Sequence, residues 1–472
     1  MWGKLAKWLV VHEAILIILG LVVFVRIPTL FEPYWYGDEG IYLTIGRAMR
    51  GGMELYKEVH DNKPPLLYVV AAVAGGREFW FKFMLLLWNL ATVGIFWNLA
   101  LRFAQGKLKF AIVATTVFAL LTSIPLIEGN IVNAELFFLL FTVGAMSMAY
   151  SGNNLVVAGT MLGLGGLFKT PALIEAMVWP MVWLFSKDKK WFSKSWWWGV
   201  GVAIPVALAT VYFGMRGTLP EFLTAAGVKL VPYIASWKVS LPLVGSLMGR
   251  AVALAGWLGV GWLLRNRLGR NGLILVVWWG AGLFAALLSG RPYPHYLLQL
   301  APVVSLGIGM LVWGGMKERL TFLVTAGITI GAIIGFKFYA YPVFSYYKNF
   351  SSWAMGRQSQ QEYYRWFNPQ VPVNYQISKN IMEGSKPEDR IFVWGDEPMI
   401  YAISKRLPAI RFTVKYHIKE FGAEKETMEK LSKDSPRYIV SFGSDEELPG
   451  LKGLLQEKYL EERPGIYRRW KE

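Results

Sequence analysis

The sequence predicts an α-helical polytopic membrane protein of about eleven transmembrane helices, with juxtamembrane helices in its first outer loop and a small carboxy-terminal α/β domain. Three observations carry that prediction. Of 472 residues, 54% are hydrophobic and only 17% charged, and stretches near the ~20 apolar residues that a spanning helix needs recur along the chain. A polar segment, about residues 30–78, interrupts the apolar sequence early. The apolar runs then stop near residue 340, beyond which short β-rich runs alternate with charged stretches of helical pattern. Aromatic filling of a soluble core does not account for so much contiguous apolar sequence.

The expected spans lie at roughly 9–29, 79–101, 110–127, 135–150, 155–168, 171–186, 196–214, 243–264, 271–289, 296–314 and 320–338. The two flanking Lys169 are short and read as a broken pair. Trp2, Trp8, Trp191, Trp196, Trp237, Trp262 and Trp313 fall at helix ends, as interfacial belts require. Lys4 and Lys7 precede the first apolar stretch without a small-residue cleavage site, which reads as a retained helix rather than a removed signal peptide. With the amino terminus in the cytoplasm, short inner loops collect Arg102, Lys107, Lys109, Lys187, Lys189, Lys190, Lys194, Arg265, Arg267, Arg270, Lys317 and Arg319. That is the positive-inside bias. The same count puts Asp38, Lys63, Glu128, Glu135, Lys169 and Arg291 on the outer side of a cell membrane.

The expected domains are 1–340 (membrane), 341–374 (linker, with SYYKNFSS and NPQVPVN) and 375–472 (soluble, outer). Strands are expected at Ile391–Trp394 and Tyr438–Phe442, and helices at Glu420–Lys433 and Asp445–Tyr459. The chain has no cysteine, which excludes disulfides, thiolate metal sites and a Cys nucleophile. Its formal charge is +17. No long basic run or base-stacking module accompanies that charge, so we read it as contact with membrane lipids and phosphate rather than nucleic acid.

Candidate chemistry concentrates in polar breaks. Asp38-Glu39 opens a run ending at Gly51-Gly52, in which Ile41, Ile45 and Met49 share one helical face. This reads as an amphipathic helix lying on the membrane with Asp38 at its N-cap. An aspartate there can simply cap the helix; it is also held ionised and aimed, as a general base must be. Neighbours on a helix point apart, so Glu39 need not act on the same atom. In His60-Asp61-Asn62-Lys63-Pro64-Pro65 the prolines set an extended turn, leaving Lys63 at headgroup level to snorkel or to meet a phosphate. Asn133 and Glu135 begin a helix, Lys169-Thr170-Pro171 interrupts apolar sequence, and Arg291 and His295 bracket a proline-rich turn. Walker, GxSxG, Rossmann, HExxH, EF-hand and DxD patterns are absent from the sequence. A divalent metal on Asp38 and Glu135 is left open, and no other cofactor is indicated.

The run DEGIYLTIGRAMRGGMELYKEVHDNKPPLLY resembles the first outer loop of the GT-C superfamily, in particular its protein O-mannosyltransferase and ArnT-like branch. NIVNAELF, GLGGLFKTP and GRPYPHYLLQLAP resemble later motifs of that family in the same order, and DRIFVWGDEPMIYAISKR resembles its outer domain. The resemblance implies a GT-C-like fold and inverting transfer of a sugar from a polyprenyl-phosphate donor to a lipid, glycan or protein acceptor. It implies that Asp38, with Glu39 beside it, is catalytic, and that Lys63 and Lys169 contact the donor phosphate. Arg291 and His295 match such contacts less closely. Glu135, with Asn133 before it, would be the second acidic motif, where the aminoarabinose branch commonly carries Asp. Alternatives are a transporter or flippase of lipid-linked sugars, a glycan ligase or polymerase using a diphosphate carrier, and a receptor or scaffold whose outer domain binds a ligand. The gathering of charges on one face and the lack of an internal repeat argue against a transporter.

Overall fold

The structure, a computed structural model, describes residues 2–229, 232, 234, 237, 239–443 and 447–470, with side chains described from residue 11 onward. The expectations on Trp2, Lys4, Lys7, Trp8 and Asp445 fall outside the described side chains. Among the described residues, six helices are long and apolar enough to cross a membrane: Val11–Phe31, Glu78–Phe103, Trp191–Met215, Leu247–Leu287, Pro294–Trp313 and Met316–Gly335. Shorter apolar helices are Leu108–Leu121, Ala134–Tyr150, Leu155–Gly166, Thr170–Phe185 and Leu219–Val228, the last of which was not expected. The expected spans at 243–264 and 271–289 emerge as one run of 41 residues. At 1.5 Å per residue it measures about 60 Å, twice a hydrocarbon core of ~30 Å. Gly269, with φ 66° and ψ 176°, breaks it among Arg265, Arg267 and Arg270, so it is two helices joined at a polar turn.

The chain packs as two compact units. The first comprises Met1–Ile27, Leu85–Leu219 and Ala226–Val343. In it Leu155–Gly166 lies against Trp191–Met215, where a Cβ at Gly159 would collide with the Trp198 carbonyl and one at Gly201 with that of Val156. Small residues let these backbones approach, the usual device of helix packing in lipid. The helix ends at Gly166, and the chain re-enters as a 3₁₀ helix, Thr170–Met177, before the α-helix Val178–Phe185. This is the break expected around Lys169. A loop over residues 122–130 is pinned from beneath. Buried Arg26 donates to the carbonyls of Thr122 and Gly129, and the Asn89 amide donates to Thr122 O (3.2 Å) and Ser123 Oγ (2.9 Å).

The second unit comprises Pro28–Met84, Pro220–Ala225 and Phe344–Glu472, so the first polar segment packs with the carboxy-terminal part of the chain. This differs from the expected division at 340 and 374. Its five-stranded sheet has the order β2-β1-β3-β5-β4, with β1 Arg390–Trp394, β2 Leu407–Pro408, β3 Tyr438–Ser441, β4 Tyr459–Arg463 and β5 Ile466–Arg469. The first three are parallel; β5 pairs antiparallel with β3 and with β4. Strand alternation feeds two cores, Phe392, Trp394 and Ile439 into one, and Ile391, Val393, Tyr438 and Val440 into the other.

Four expectations need correcting here. Residues 341–374 are not a loose linker: they form helices Val343–Ala354 and Gln360–Phe367 and the start of Gln370–Gly384. Ser359 and Glu362 make a reciprocal capping box, and Phe350 and Trp353 pack on Phe31. The stretch 420–433 is two helices, Lys415–Phe421 and Glu424–Lys433, divided at left-handed Gly422. Only Leu451–Lys458 of the last expected helix is helical, and Tyr459 opens a hairpin. Finally, helix Gly37–Arg50 is covered by protein on more than its apolar face, with residues 39–46 all buried. Most of it is buried, wedged by two close approaches: a Cβ at Gly40 would stand 2.8 Å from Met399 N, and one at Gly46 2.5 Å from the Ala71 carbonyl carbon.

Candidate active site

Asp38 sits in the first turn of helix Gly37–Arg50, and the N-cap is Tyr36, with no side-chain capping bond. The expected N-cap role is therefore wrong: Gly37 already starts the helix. The Asp38 carboxylate is instead engaged by side chains. Tyr42, one turn on, donates its hydroxyl to Oδ2 (2.8 Å), and Lys63 Nζ stands 3.4 Å from the same oxygen. Asp38 remains 31% exposed and Lys63 15%. The adjacent Glu39 goes elsewhere. It is buried 3.2 Å from Lys82 Nζ, which also meets Glu32 (2.7 Å) and Glu78 (3.9 Å). Neighbouring carboxylates thus pair with different lysines, Asp38 with Lys63 and Glu39 with Lys82 in a buried ionic cluster.

Lys63 is fixed by its backbone as well as its charge. Its N–H donates to Tyr68 Oη (3.2 Å), and its carbonyl accepts from Tyr56 Oη (2.8 Å). The ammonium lies 5.0 Å from the centre of the Tyr42 ring. It also stands 3.6 Å from Asp61, a buried carboxylate that accepts from Tyr68 (2.7 Å) and from the Asn62 backbone (2.8 Å). Burial pushes Asp61 up, yet Lys63, His417 and the Tyr68 hydrogen bond outweigh it and its pKa is lowered overall. Burial, then the neighbouring carboxylates, hold the phenols of Tyr42 and Tyr68 well above their ordinary pKa, so both are donors here. His417 Nε2 approaches Asp61 to 3.5 Å. Burial lowers the pKa of His417, and burial with its histidine neighbour lowers that of His60 to about 4. Both rings are neutral at pH 7.

In the other unit, Asn133 occupies the N-cap position of helix Ala134–Tyr150, and Glu135 follows in the first turn. Glu135 forms an ion pair with Lys169, the residue at the helix break. Lys169 is 14% exposed, and its ammonium lies 4.3 Å from the Tyr296 ring centre. Asn133 points to Glu128, donating to Oε2 (3.2 Å), and His295 Nδ1 meets the same oxygen. Glu128 is held in left-handed backbone (φ 61°, ψ 31°) at the end of a Pro125–Ile127 turn. The Arg291 guanidinium lies 5.3 Å from the Trp237 ring centre. Buried Glu175 accepts from Trp278 (3.0 Å) and Gln299 (3.0 Å), and Gln299 also donates to Pro171 O (3.3 Å). That network ties the break at Lys169 to the 3₁₀ helix Pro294–Leu300, which carries His295.

The sequence reading assigned no role to Asp61, Glu128, Tyr42, Tyr68 or His417. Asp61 had a local signal, an acid two residues from the lysine it holds; His417 had none. Asp38 and Glu135, the expected metal ligands, lie in different units, each paired to its own lysine. Among the described residues no three His, Asp or Glu side chains converge as a metal would require.

No protein-family model matches the sequence, and no curated protein matches it either. Solved structures do. The crystal structure of ArnT from Cupriavidus metallidurans bound to undecaprenyl phosphate matches with a TM-score of 0.60 at 15% identity, over 96% of this chain and 97% of that one. The apo structure of the same protein matches with a TM-score of 0.57 at 15% identity, over 97% of each chain. The chain has the GT-C fold, in its ArnT-like form. An archaeal oligosaccharyltransferase, AglB from Archaeoglobus fulgidus, also matches at 13% identity and a TM-score of 0.47, over 93% of this chain and 70% of that one. With the GT-C fold and its six long apolar helices, the chain is an integral membrane protein with a carboxy-terminal α/β domain.

Proposed function

We propose that this protein is an inverting glycosyltransferase that moves a sugar from a polyprenyl-phosphate donor to an acceptor hydroxyl or amine on the outer face of a cell membrane. The observation that carries the reading is the Asp38–Lys63 pair. A partly exposed carboxylate, held by Tyr42, stands 3.4 Å from a partly exposed ammonium at the start of a juxtamembrane helix. The shared fold with ArnT, crystallised with undecaprenyl phosphate, supports the choice of donor.

The chemistry needs one base and one cationic group. The acceptor oxygen or nitrogen attacks the anomeric carbon on the face opposite the phosphate. The bond from that carbon to the phosphate oxygen breaks, and its electron pair leaves with polyprenyl phosphate. Asp38 takes the proton that the acceptor loses. The leaving group is already anionic, so it needs charge neutralisation more than protonation, and Lys63, itself mostly buried, supplies this. Within the first unit, Lys169, Arg291 and His295 are proposed as anion contacts in their own right, and Glu135 as the ion-pair partner that positions Lys169. Glu39 has a structural part in the Lys82 cluster.

The test is incubation of the purified, full-length protein with a panel of radiolabelled polyprenyl-phosphate sugars. Consumption of one donor with release of polyprenyl monophosphate supports the proposal. Release of diphosphate identifies a ligase or polymerase, and movement of intact donor across a vesicle without cleavage identifies a flippase; either refutes it.

A further inference from the structure

Asp61 is a carboxylate with 1% of its side chain exposed, and it stands between two groups from distant parts of the sequence. On one side is Lys63 (3.6 Å); on the other is His417 Nε2 (3.5 Å), from helix Lys415–Phe421 next to the sheet. The His417 ring is enclosed, and its Nδ1 has no hydrogen-bond partner among the described residues. The proton therefore belongs on Nε2, facing Asp61. A neutral N–H steadies a buried carboxylate without adding charge, so Lys63 remains the cation of the cluster. The turn carrying Asp61 is docked on the same part of the chain. The His60 N–H donates to Arg411 O (2.8 Å), and the His60 ring packs edge-on against Phe412 and Phe421.

We infer that His417 is a positioning residue for the donor phosphate, acting through Asp61 to hold the Lys63 ammonium where it can pass from Asp38 to the lipid phosphate. This rests on the function proposed above and gives the carboxy-terminal domain a part in it. Lys63 bridges the two carboxylates of Asp38 and Asp61. When a phosphate arrives, Lys63 can turn from Asp38 while Asp61 keeps it in place. The Asp38 carboxylate is then left to the incoming acceptor. Without the His417 contact Asp61 loses a stabilising neighbour, and Lys63 loses its fixed point.

The experiment measures binding of polyprenyl phosphate alone, donor kinetics and thermal unfolding in full-length His417→Phe, His417→Gln, Asp61→Asn and the double variant His417→Phe/Asp61→Asn. Loss of one polar contact to a charged group is worth about tenfold in an equilibrium constant. His417→Phe should weaken polyprenyl phosphate binding and raise the donor KM by about tenfold, with kcat changed much less. His417→Gln, which keeps a donor, should recover most of the loss. Asp61→Asn should reproduce the defect, and the double variant should be no worse than Asp61→Asn, since both act on one contact. A folded His417→Phe that binds like wild type overturns the inference, as does a glutamine variant no better than phenylalanine. If His417→Phe does not fold, a folded Asp61→Asn that binds polyprenyl phosphate like wild type overturns it instead. Wild-type protein that binds polyprenyl phosphate but cleaves no donor defeats the proposed function, and the binding comparison still decides the part played by His417. Wild-type protein that binds no polyprenyl phosphate defeats both.

Discussion

Replacing Asp38 by asparagine separates catalysis from architecture, because the two effects differ in size. The asparagine keeps the shape of the side chain, and its oxygen can still accept from Tyr42, which stands 2.8 Å from the aspartate. Lys63 loses one carboxylate but retains Asp61 at 3.6 Å. The broken pair is 31% and 15% exposed, and such partly solvated pairs are worth about 0–1 kcal/mol. Weakening the tyrosine bond from charged to neutral adds about 1 kcal/mol. The folded protein should therefore melt within a few degrees of wild type. Loss of a general base costs about 10²–10⁴ in rate, equivalent to about 3–5 kcal/mol of barrier. The two effects are read by a melting curve and by initial rates with saturating donor. Polyprenyl phosphate binding should hold or tighten, since a carboxylate competing for Lys63 has gone. A purified, folded asparagine variant with more than about a tenth of wild-type turnover refutes the base assignment.

Acidification should destabilise the protein through His60, whose pKa falls from 6.5 to about 4 in the fold because burial excludes the charged form. Between those values the unfolded chain binds a proton that the folded chain refuses, so stability is full above pH 6.5 and falls as pH drops towards 4, by about 3 kcal/mol. Urea unfolding at about pH 7 and about pH 4.5 measures this, and His60→Gln should flatten the difference. Lys169→Ala leaves buried Glu135 without its cation and should cost about 3–5 kcal/mol. Adding Glu135→Gln should restore the melting temperature but not transfer, which a paired melt and activity assay will show. Gly46→Ala would force a methyl to within 2.5 Å of the Ala71 carbonyl carbon, costing about 1–3 kcal/mol in thermal unfolding. Gly94→Ala, with nothing within 4 Å, should stay within about 0.5 kcal/mol.

What the sequence reveals depends on how local each signal is. The break at Lys169, the start of a helix at Ala134 and strands β1 and β3 follow from patterns a few residues long, and all appear in the structure. Residues 341–374 misled because Ser and Asn within SYYKNFSS read as breakers. The helical signal was Tyr346, Phe350 and Trp353, at the i, i+4, i+7 spacing of one face. The hairpin of β4 and β5 hid behind charged residues, although Pro464-Gly465 marks its turn and Gly465 takes φ 75°. Helix Gly37–Arg50 has a real apolar face, but periodicity cannot tell lipid from protein as the medium covering it. Gly40 and Gly46 held that information, because a helix resting on lipid gains nothing from glycines where no backbone approaches. His417 lay beyond any spacing rule, since only the fold brings it to Asp61.

The two lysines singled out in the sequence sit in different units yet share one electrostatic design. Lys63 has Asp38 and Asp61 at 3.4 and 3.6 Å and the Tyr42 ring at 5.0 Å. Lys169 has Glu135 as its ion-pair partner and the Tyr296 ring at 4.3 Å. Each is about one-seventh exposed, at 15% and 14%. The carboxylate balances the charge of the ammonium, and the face of the ring stabilises the cation without consuming a hydrogen-bond donor. Ammonium has three donors, so such a lysine can exchange a carboxylate contact for one to an anion. A purely structural ion pair gains nothing from partial exposure; the Lys82 pairs, at 1% exposure, are the counter-example within the same chain. The contrast predicts that Lys63→Met and Lys169→Met each weaken polyprenyl phosphate binding. Lys82→Met should instead lower stability, and any folded fraction should bind as wild type. Equal binding by all three folded variants would mean that exposure and ring contact do not mark the phosphate-binding lysines.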